Sequence, residues 1–290
     1  MEPICNRKIS LISFDLDHTL LNSAGDINHQ TLKAIRFAMD KGVKITISTG
    51  RVTCISRLFA DRLNIWGPYV AANGALVVRQ YDGKILFSKK IDPEHVADLC
   101  SFCEKMRLHY ALQMLDVMYY TKDNNRLFIV ENYNKLALKY GSPPSKVVII
   151  DNGMKYCGKE AVYKIVIQPE SEKSFKVLRS YLEANRNLTY TFSDKNLFDI
   201  TANGISKGEG IKKIAGYYGI SLQHTCAFGD YDNDLEIFRY VGTRIAMGNA
   251  CENLKKIADF QTGTNDEDGI ADAIYAMRYC FPQVNDDDKI

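Results

Sequence analysis

Three apolar, strand-sized runs in this chain each stop abruptly in a polar cluster. Ile9 to Phe14 ends in Asp15-Leu16-Asp17, Val43 to Ser48 in Thr49-Gly50-Arg51, and Thr225 to Phe228 in Gly229-Asp230-Tyr231-Asp232-Asn233-Asp234. Helical periodicity lies between them. Leu32, Ile35 and Met39 recur at three and four after Asn28, a fitting N-cap, and before Gly42, a stop; Ile211, Ile214, Ala215 and Tyr218 repeat the pattern up to Gly219. Strand and helix alternating in this rhythm predict an α/β fold, with a parallel sheet and crossover helices. Ligands of such sheets bind beyond the carboxyl ends of the strands, so polar residues gathered at several ends outweigh polar residues elsewhere.

The middle of the chain has another texture. Pro93 opens a helical pattern through Val96, Leu99, Cys103 and Met106, followed by strand-like runs at Tyr110–Met114, Val117–Thr121 and Val162–Ile167. A helix through Phe175, Leu178 and Leu182 leads to further runs at Leu188–Phe192 and Leu197–Thr201. This reads as an α+β unit with an antiparallel sheet, inserted into a Rossmann-like core. The expected division is residues 1–86 and 193–290 for the core and 87–192 for the insertion.

Composition narrows the function. The chain has 290 residues, with 37 basic against 35 acidic side chains and a net charge of +2, which leaves no electrostatic footprint for nucleic acid. Its longest apolar runs are too short to cross a membrane. Eight cysteines lack a framework spacing and no secretory segment follows the polar start, so a cytoplasmic setting is expected. The acidic run Asp286-Asp287-Asp288 reads as solvated surface.

The strand-end clusters carry the chemistry. Asp15, Asp17, Asp230 and Asp234 are too many carboxylates to bury together without a compensating cation. Oxygen-only ligands favour Mg²⁺, which takes one or two carboxylates, waters and a substrate phosphate. Lys207, where a helix begins within Gly204-Ile205-Ser206-Lys207-Gly208, joins Thr49 and glycine-flanked amides as a fitting set for phosphoryl oxygens. A carboxylate nucleophile can form an aspartyl phosphate, and a second carboxylate two residues on can serve as acid and then base.

These residues resemble the haloacid dehalogenase superfamily. Phe14-Asp15-Leu16-Asp17-His18-Thr19-Leu20-Leu21 is similar to its DxDxT motif, Thr49 to motif II, Lys207 to motif III, and Gly229-Asp230-Tyr231-Asp232-Asn233-Asp234 to the GDxxND form of motif IV. Ala71-Ala72-Asn73-Gly74-Ala75 and Gly204 to Gly208 further resemble the Cof-type branch, whose C2-type cap matches the inserted unit in place and size. The resemblance implies a phosphatase for small phosphorylated metabolites such as sugar phosphates. Asp15 would be nucleophile and Mg²⁺ ligand, and Asp17 the acid/base, with its backbone carbonyl on the metal. Thr49, Lys207 and the amides of Leu16 and Gly50 would hold the phosphoryl group. Asp230 would complete the metal ligands, Asn233 would touch phosphate and Asp234 would orient the lysine or a metal water. His18 departs from the usual glycine. Arg51 and cap residues around Met114 to Tyr119 are candidate substrate contacts.

Taken singly, these signals have ordinary readings: strand-end caps, a turn, a solvated lysine. Their joint order at strand ends and a helix start makes the catalytic reading. Two other readings keep the scaffold, namely a phosphomutase or phosphotransferase and a non-catalytic sensor of phosphometabolites. Gly153 to Lys159 spells most of a P-loop, but Glu160 stands where a Ser or Thr would hold Mg²⁺ and a strand follows instead of a helix. Cys100 and Cys103 have redox spacing but sit within an amphipathic helical pattern, as core thiols do.

Overall fold

The computed structural model describes residues 7–282, so the acidic run at 286–288 lies outside it. The chain begins with strand β1 (Leu11–Phe14), helix α1 (His29–Asp40), β2 (Lys44–Ile47), α2 (Arg57–Arg62), β3 (Pro68–Ala71), β4 (Leu76–Arg79) and β5 (Ile85–Ser88). It continues with α3 (Pro93–Met106), β6 (Tyr110–Gln113), β7 (Val117–Thr121), α4 (Leu127–Lys139) and β8 (Lys146–Ile150). Then follow β9 (Lys164–Ile167), α5 (Glu172–Ala184), β10 (Leu188–Asp194) and β11 (Leu197–Ala202). The last part holds α6 (Lys207–Tyr218), β12 (Thr225–Gly229), α7 (Leu235–Tyr240), β13 (Thr243–Ala246), α8 (Glu252–Ile257), β14 (Phe260–Gln261) and α9 (Gly269–Ala276).

The first sheet is parallel, in the order β14-β13-β12-β1-β2. Its interior strand β1, flanked by β12 and β2, is apolar at Leu11, Ile12 and Phe14, all fully buried, because helices cover both faces of a parallel sheet. Ser13 is the polar exception, and its hydroxyl meets that of Ser48 at 2.8 Å. Beyond β2 the chain bridges in parallel from Ser48 to Val70, which attaches the small antiparallel sheet β3-β4-β5.

The second large sheet runs β10-β11-β9-β6-β7-β8 and is antiparallel apart from the parallel pair β7 and β8. It includes β11 out to Ala202, so residue 192 falls inside β10, and the β10–β11 hairpin belongs wholly to this sheet. Two of its elements have no counterpart in the sequence reading, α4 and β8. The inward stripe of α4, Val130, Tyr133 and Ala137, is helical in spacing but is masked by the exposed Phe128 and Leu138. Cys100 and Cys103 are buried, unpaired thiols of α3. The P-loop-like stretch makes a short 3₁₀ turn at Gly153–Tyr156, whose Gly153 amide donates to the Tyr110 hydroxyl at 2.7 Å. No helix among the described residues is long and apolar enough to cross a membrane.

Candidate active site

The carboxyl ends of β1, β2 and β12 converge. Thr19 Oγ1 donates to Asp230 Oδ1 at 2.8 Å, tying the turn after β1 to the end of β12. Lys207, fully buried at the start of α6, donates from Nζ to Asp15 Oδ1 and to Asp234 Oδ1, both at 2.7 Å. The other oxygen of Asp234 accepts from the amides of Asp230 at 3.0 Å and Tyr231 at 3.4 Å. Both Asp234 oxygens are thus engaged in holding the lysine and the turn after β12.

Local structure explains how a lysine reaches this depth. Ser206 caps α6, its hydroxyl accepting from the Glu209 amide at 3.1 Å. The helix then needs two close approaches. Gly208 faces Tyr240 and the Glu236 carbonyl, which an added Cβ would meet at 2.5 and 2.7 Å. Gly74, at φ +103°, passes the Ser206 carbonyl so closely that a Cβ would lie 2.1 Å from it. The loop before Gly74 is tied to the turn after β2, since the amides of Ala72 and Asn73 donate to the carbonyls of Arg51 and Thr49 at 2.8 and 3.0 Å.

Charge inside this cluster is unbalanced. Asp15, Asp230 and Asp234 bring carboxylate oxygens within 4.8 Å of one another. Burial pushes the Asp15 carboxyl up, with Asp234 and Asp17 adding to the rise against Lys207, to about 7. Burial likewise raises Asp230 well above the usual carboxylate range, together with Asp15 and Asp234. Burial alone would lower the Lys207 ammonium, but Asp15 and Asp234 raise it above its ordinary value. Buried all-oxygen donors carrying excess negative charge fit a hard divalent cation.

Asp17 behaves differently. Burial pushes its carboxyl up, but the charge and hydrogen bonds of Arg51 overcome this and hold it at about 2. Arg51 donates from Nε to Oδ2 at 2.9 Å and from Nη2 to Oδ1 at 2.6 Å. Thr49, fully buried, accepts the Arg51 amide on Oγ1 at 3.0 Å. His18 sits at φ +58°, the left-handed conformation that glycine adopts without cost, and its carbonyl accepts from Asn249 Nδ2 at 2.7 Å. Asn233 reaches Asn73 Oδ1 through Nδ2 at 3.4 Å.

Above these groups opens a cavity of about 640 Å³ that reaches the second large sheet. Asp15, Asp17, Gly50, Arg51, Asp230 and Asn233 form its floor. Its upper wall departs from expectation. Met114 to Tyr119 do not line it, whereas the flanking residues Gln113 and Tyr120 do. The hairpin turn lies between them, and alternation sends Tyr119 to the other face, where its hydroxyl meets Glu160 at 2.9 Å. Sequence reasoning also missed Lys164 and Asp199, and gave Asn73, quoted within the Ala71 to Ala75 motif, no role of its own. Lys164 Nζ lies 3.0 Å from Asp199 Oδ2, and Asn73 Nδ2 donates to that same oxygen at 2.8 Å. The signal for Lys164 and Asp199 was a charge at an inward-facing position of an otherwise apolar strand, whereas Asn73 stands in the turn after β3.

Comparison with known proteins agrees with this geometry. The haloacid dehalogenase-like hydrolase family model matches residues 12–274. A 5-amino-6-(5-phospho-D-ribitylamino)uracil phosphatase of Bacillus subtilis is 32% identical over 281 residues, covering 90% of this chain and 95% of its own. Another phosphatase of that organism is 29% identical, covering 91% and 98%. Among solved structures, a haloacid dehalogenase-like hydrolase from B. subtilis superposes with a TM-score of 0.81 at 26% identity, covering 92% of this chain and 99% of its own.

Proposed function

We propose a mechanism for a chain that belongs to the haloacid dehalogenase-like hydrolase family and is a phosphatase acting on phosphate esters. The reading is a Mg²⁺-dependent hydrolysis of small phosphate monoesters, of sugars or related metabolites, through an aspartyl phosphate at Asp15. The observation that carries it is Lys207, enclosed at 2.7 Å between Asp15 and Asp234 at the floor of the cavity.

Asp15, Asp230 and the backbone carbonyl of Asp17 would hold the cation, which when bound neutralises charge on the phosphoryl oxygens and on these carboxylates. Lys207, Thr49 and the amides of Leu16 and Gly50 would bind the remaining phosphoryl oxygens, with Asn233 beside them. An Asp15 oxygen attacks phosphorus as the bond to the ester oxygen breaks, and the departing alcohol takes its proton from Asp17. Water then attacks the aspartyl phosphate and gives its proton to Asp17, releasing inorganic phosphate and restoring both carboxyl groups. Asp17 cannot donate a proton while Arg51 keeps it ionised. Substrate entry must therefore loosen that pair, and Arg51 then becomes available to the substrate.

The unit built on the six-stranded sheet acts as a cap over this floor, excluding bulk water and contacting the leaving group. Proximity to a ribitylamino-uracil phosphatase supports a phosphorylated polyol or sugar as substrate. The test is phosphate release from a panel of sugar phosphates, alditol phosphates and nucleotides with Mg²⁺ or EDTA, using wild type and Asp15→Asn. Turnover that needs Mg²⁺ and disappears in the variant is expected. Turnover that survives Asp15→Asn would remove the proposed nucleophile, and an isomeric sugar phosphate accumulating without free phosphate would mark a mutase.

A further inference from the structure

The rim of the cavity carries a contact that the reaction does not use. After β1 the chain forms a tight projection, closed at its base by the bridge of Leu21 with Ile27. Asn22 Oδ1 stiffens it by accepting from the amides of Ala24 and Asp26 at 3.0 and 3.1 Å. Ser23 ties it to the core, donating from amide and hydroxyl to the two oxygens of Asp266 at 2.8 and 2.5 Å. From this fixed base Asp26 meets the unit built on the six-stranded sheet. Its Oδ1 accepts from Arg62 Nη1 of α2. Its Oδ2 accepts from Lys139 Nζ at 3.1 Å and from the Tyr140 hydroxyl at 2.8 Å, at the end of α4. Arg62 also stacks on the Tyr140 ring, 4.1 Å from its centroid.

Position gives this contact its use. Asn22 to Gly25 on one side and Lys135 and Lys139 on the other line the cavity, so the Asp26 cluster spans its rim. The two chain crossings between the units lie elsewhere and side by side, with Lys89 Nζ donating to the Asn203 carbonyl at 2.7 Å, and neither residue lines the cavity. The grip at Asp26 is made by side chains, which part without straining the backbone. Neighbouring contacts of the seam, Thr53 Oγ1 to the Leu115 carbonyl and Ser145 Oγ to the Cys54 carbonyl, carry no charge. The Lys139 side chain is 61% exposed, and ion pairs of such exposure are weak and screened by salt. A contact of that strength holds the mouth narrow yet yields to a ligand.

We propose that Asp26 is a gate residue, gripping Lys139 and Tyr140 to set the width of the cavity mouth and so to select substrates by the size of the leaving group. This rests on the phosphatase reading and adds a size limit to it. A leaving group that fits the cavity of about 640 Å³ keeps the grip intact throughout the reaction. A larger one wedges α4 away from Asp26, and its transition state forgoes the contacts of both Lys139 and Tyr140. Discrimination then equals what the grip contributes, a modest factor that salt erases. Arg62 serves both partners, pairing with the carboxylate and stacking on the Tyr140 ring.

The experiment measures kcat/KM for aryl phosphates of rising size, p-nitrophenyl, 4-methylumbelliferyl and fluorescein monophosphate, with Mg²⁺ at low and at high salt. Wild type is compared with Asp26→Asn, which keeps the shape and loses the charge. A second variant, Lys139→Met/Tyr140→Phe, keeps Asp26 paired with Arg62, and thermal unfolding checks that both fold. Wild type favours the smallest ester, and the ratio of largest to smallest rises about 3- to 10-fold in each variant. High salt produces the same rise in wild type and none in the variants. A ratio that stays at the wild-type value in both variants, with p-nitrophenyl phosphate still hydrolysed, would overturn the gate and leave the phosphatase reading intact. An equal loss on every ester would also overturn it, since Asp26 would then be structural support alone. Release of phosphate from none of the esters by wild type would instead count against the phosphatase reading itself.

Discussion

Arg51 clasps Asp17 through two parallel hydrogen bonds, Nε to Oδ2 at 2.9 Å and Nη2 to Oδ1 at 2.6 Å. Fork-to-fork pairing of this kind is among the strongest a carboxylate can make. It sets the proposed acid/base in its ionised form before substrate arrives, and it draws Arg51 over the ring of Phe59, 5.3 Å from the centroid.

Removing the guanidinium therefore releases Asp17. In Arg51→Met the carboxyl rises from about 2 toward the ordinary carboxylate range, because burial then meets only the weaker pull of His18 and Lys207. Carbon-13 NMR titration of Asp17 in the two proteins reads this directly. A midpoint that stays near 2 in the variant would show that another group holds the proton off.

The acidic cluster makes a second prediction, for protein kept in EDTA. Unfolded aspartate titrates near 3.8, whereas Asp15 is held up at about 7, so between these values the native state binds a proton that the unfolded chain has lost. Stability should fall as pH rises from about 4 to about 7, by at most ~1.4 kcal/mol per pH unit for this one group, and then stop falling on its account. In the proposed mechanism a divalent cation would bind the ionised cluster, so Mg²⁺ should raise Tm more at pH 7.5 than at pH 5. Equal shifts at both pH values would disconnect the cation from these carboxylates.

His18 provides a third. A side chain at φ +58° is strained by contact of its Cβ with the backbone, and glycine is not. His18→Gly should be neutral to stabilising, by up to about 1 kcal/mol, against the added freedom of the unfolded chain. Urea unfolding measures it. A loss of more than about 1 kcal/mol would mean that the imidazole makes contacts outweighing the strain.

Legibility in the sequence followed the distance over which each signal acts. Asp15, Thr49, Lys207 and Asp230 were readable because each stands at the end of a continuous apolar run or the start of a periodic one, and the parallel sheet itself aligns those ends. Lys164 and Asp199 were not, because β9 and β11 are short and one charge in such a strand looks like an edge or an end. Only the register of three strands shows that Gln113, Lys164 and Asp199 share a buried face. The hairpin of β10 and β11 was split between two units for a related reason. Nothing local marks which sheet a strand will join, and the polar cluster that begins the next helix lies beyond Ala202.

The closest approach near Lys207 supplies the last prediction. Gly74 combines φ +103° with a gap in which a Cβ would sit 2.1 Å from the Ser206 carbonyl, itself part of the N-cap of α6. The backbone must therefore move in Gly74→Ala, and the start of α6 is what it pushes. Lys207 follows immediately and has no slack, since its ammonium is fixed at 2.7 Å by two aspartates on different elements. The variant should lose more than about 2 kcal/mol of stability in urea, and at temperatures where it stays folded kcat should drop more than KM rises. A control at Gly216, on the same helix with open space around it, should show neither effect. If Gly74→Ala unfolds at the wild-type urea midpoint with normal kcat, the close approach does not position Lys207.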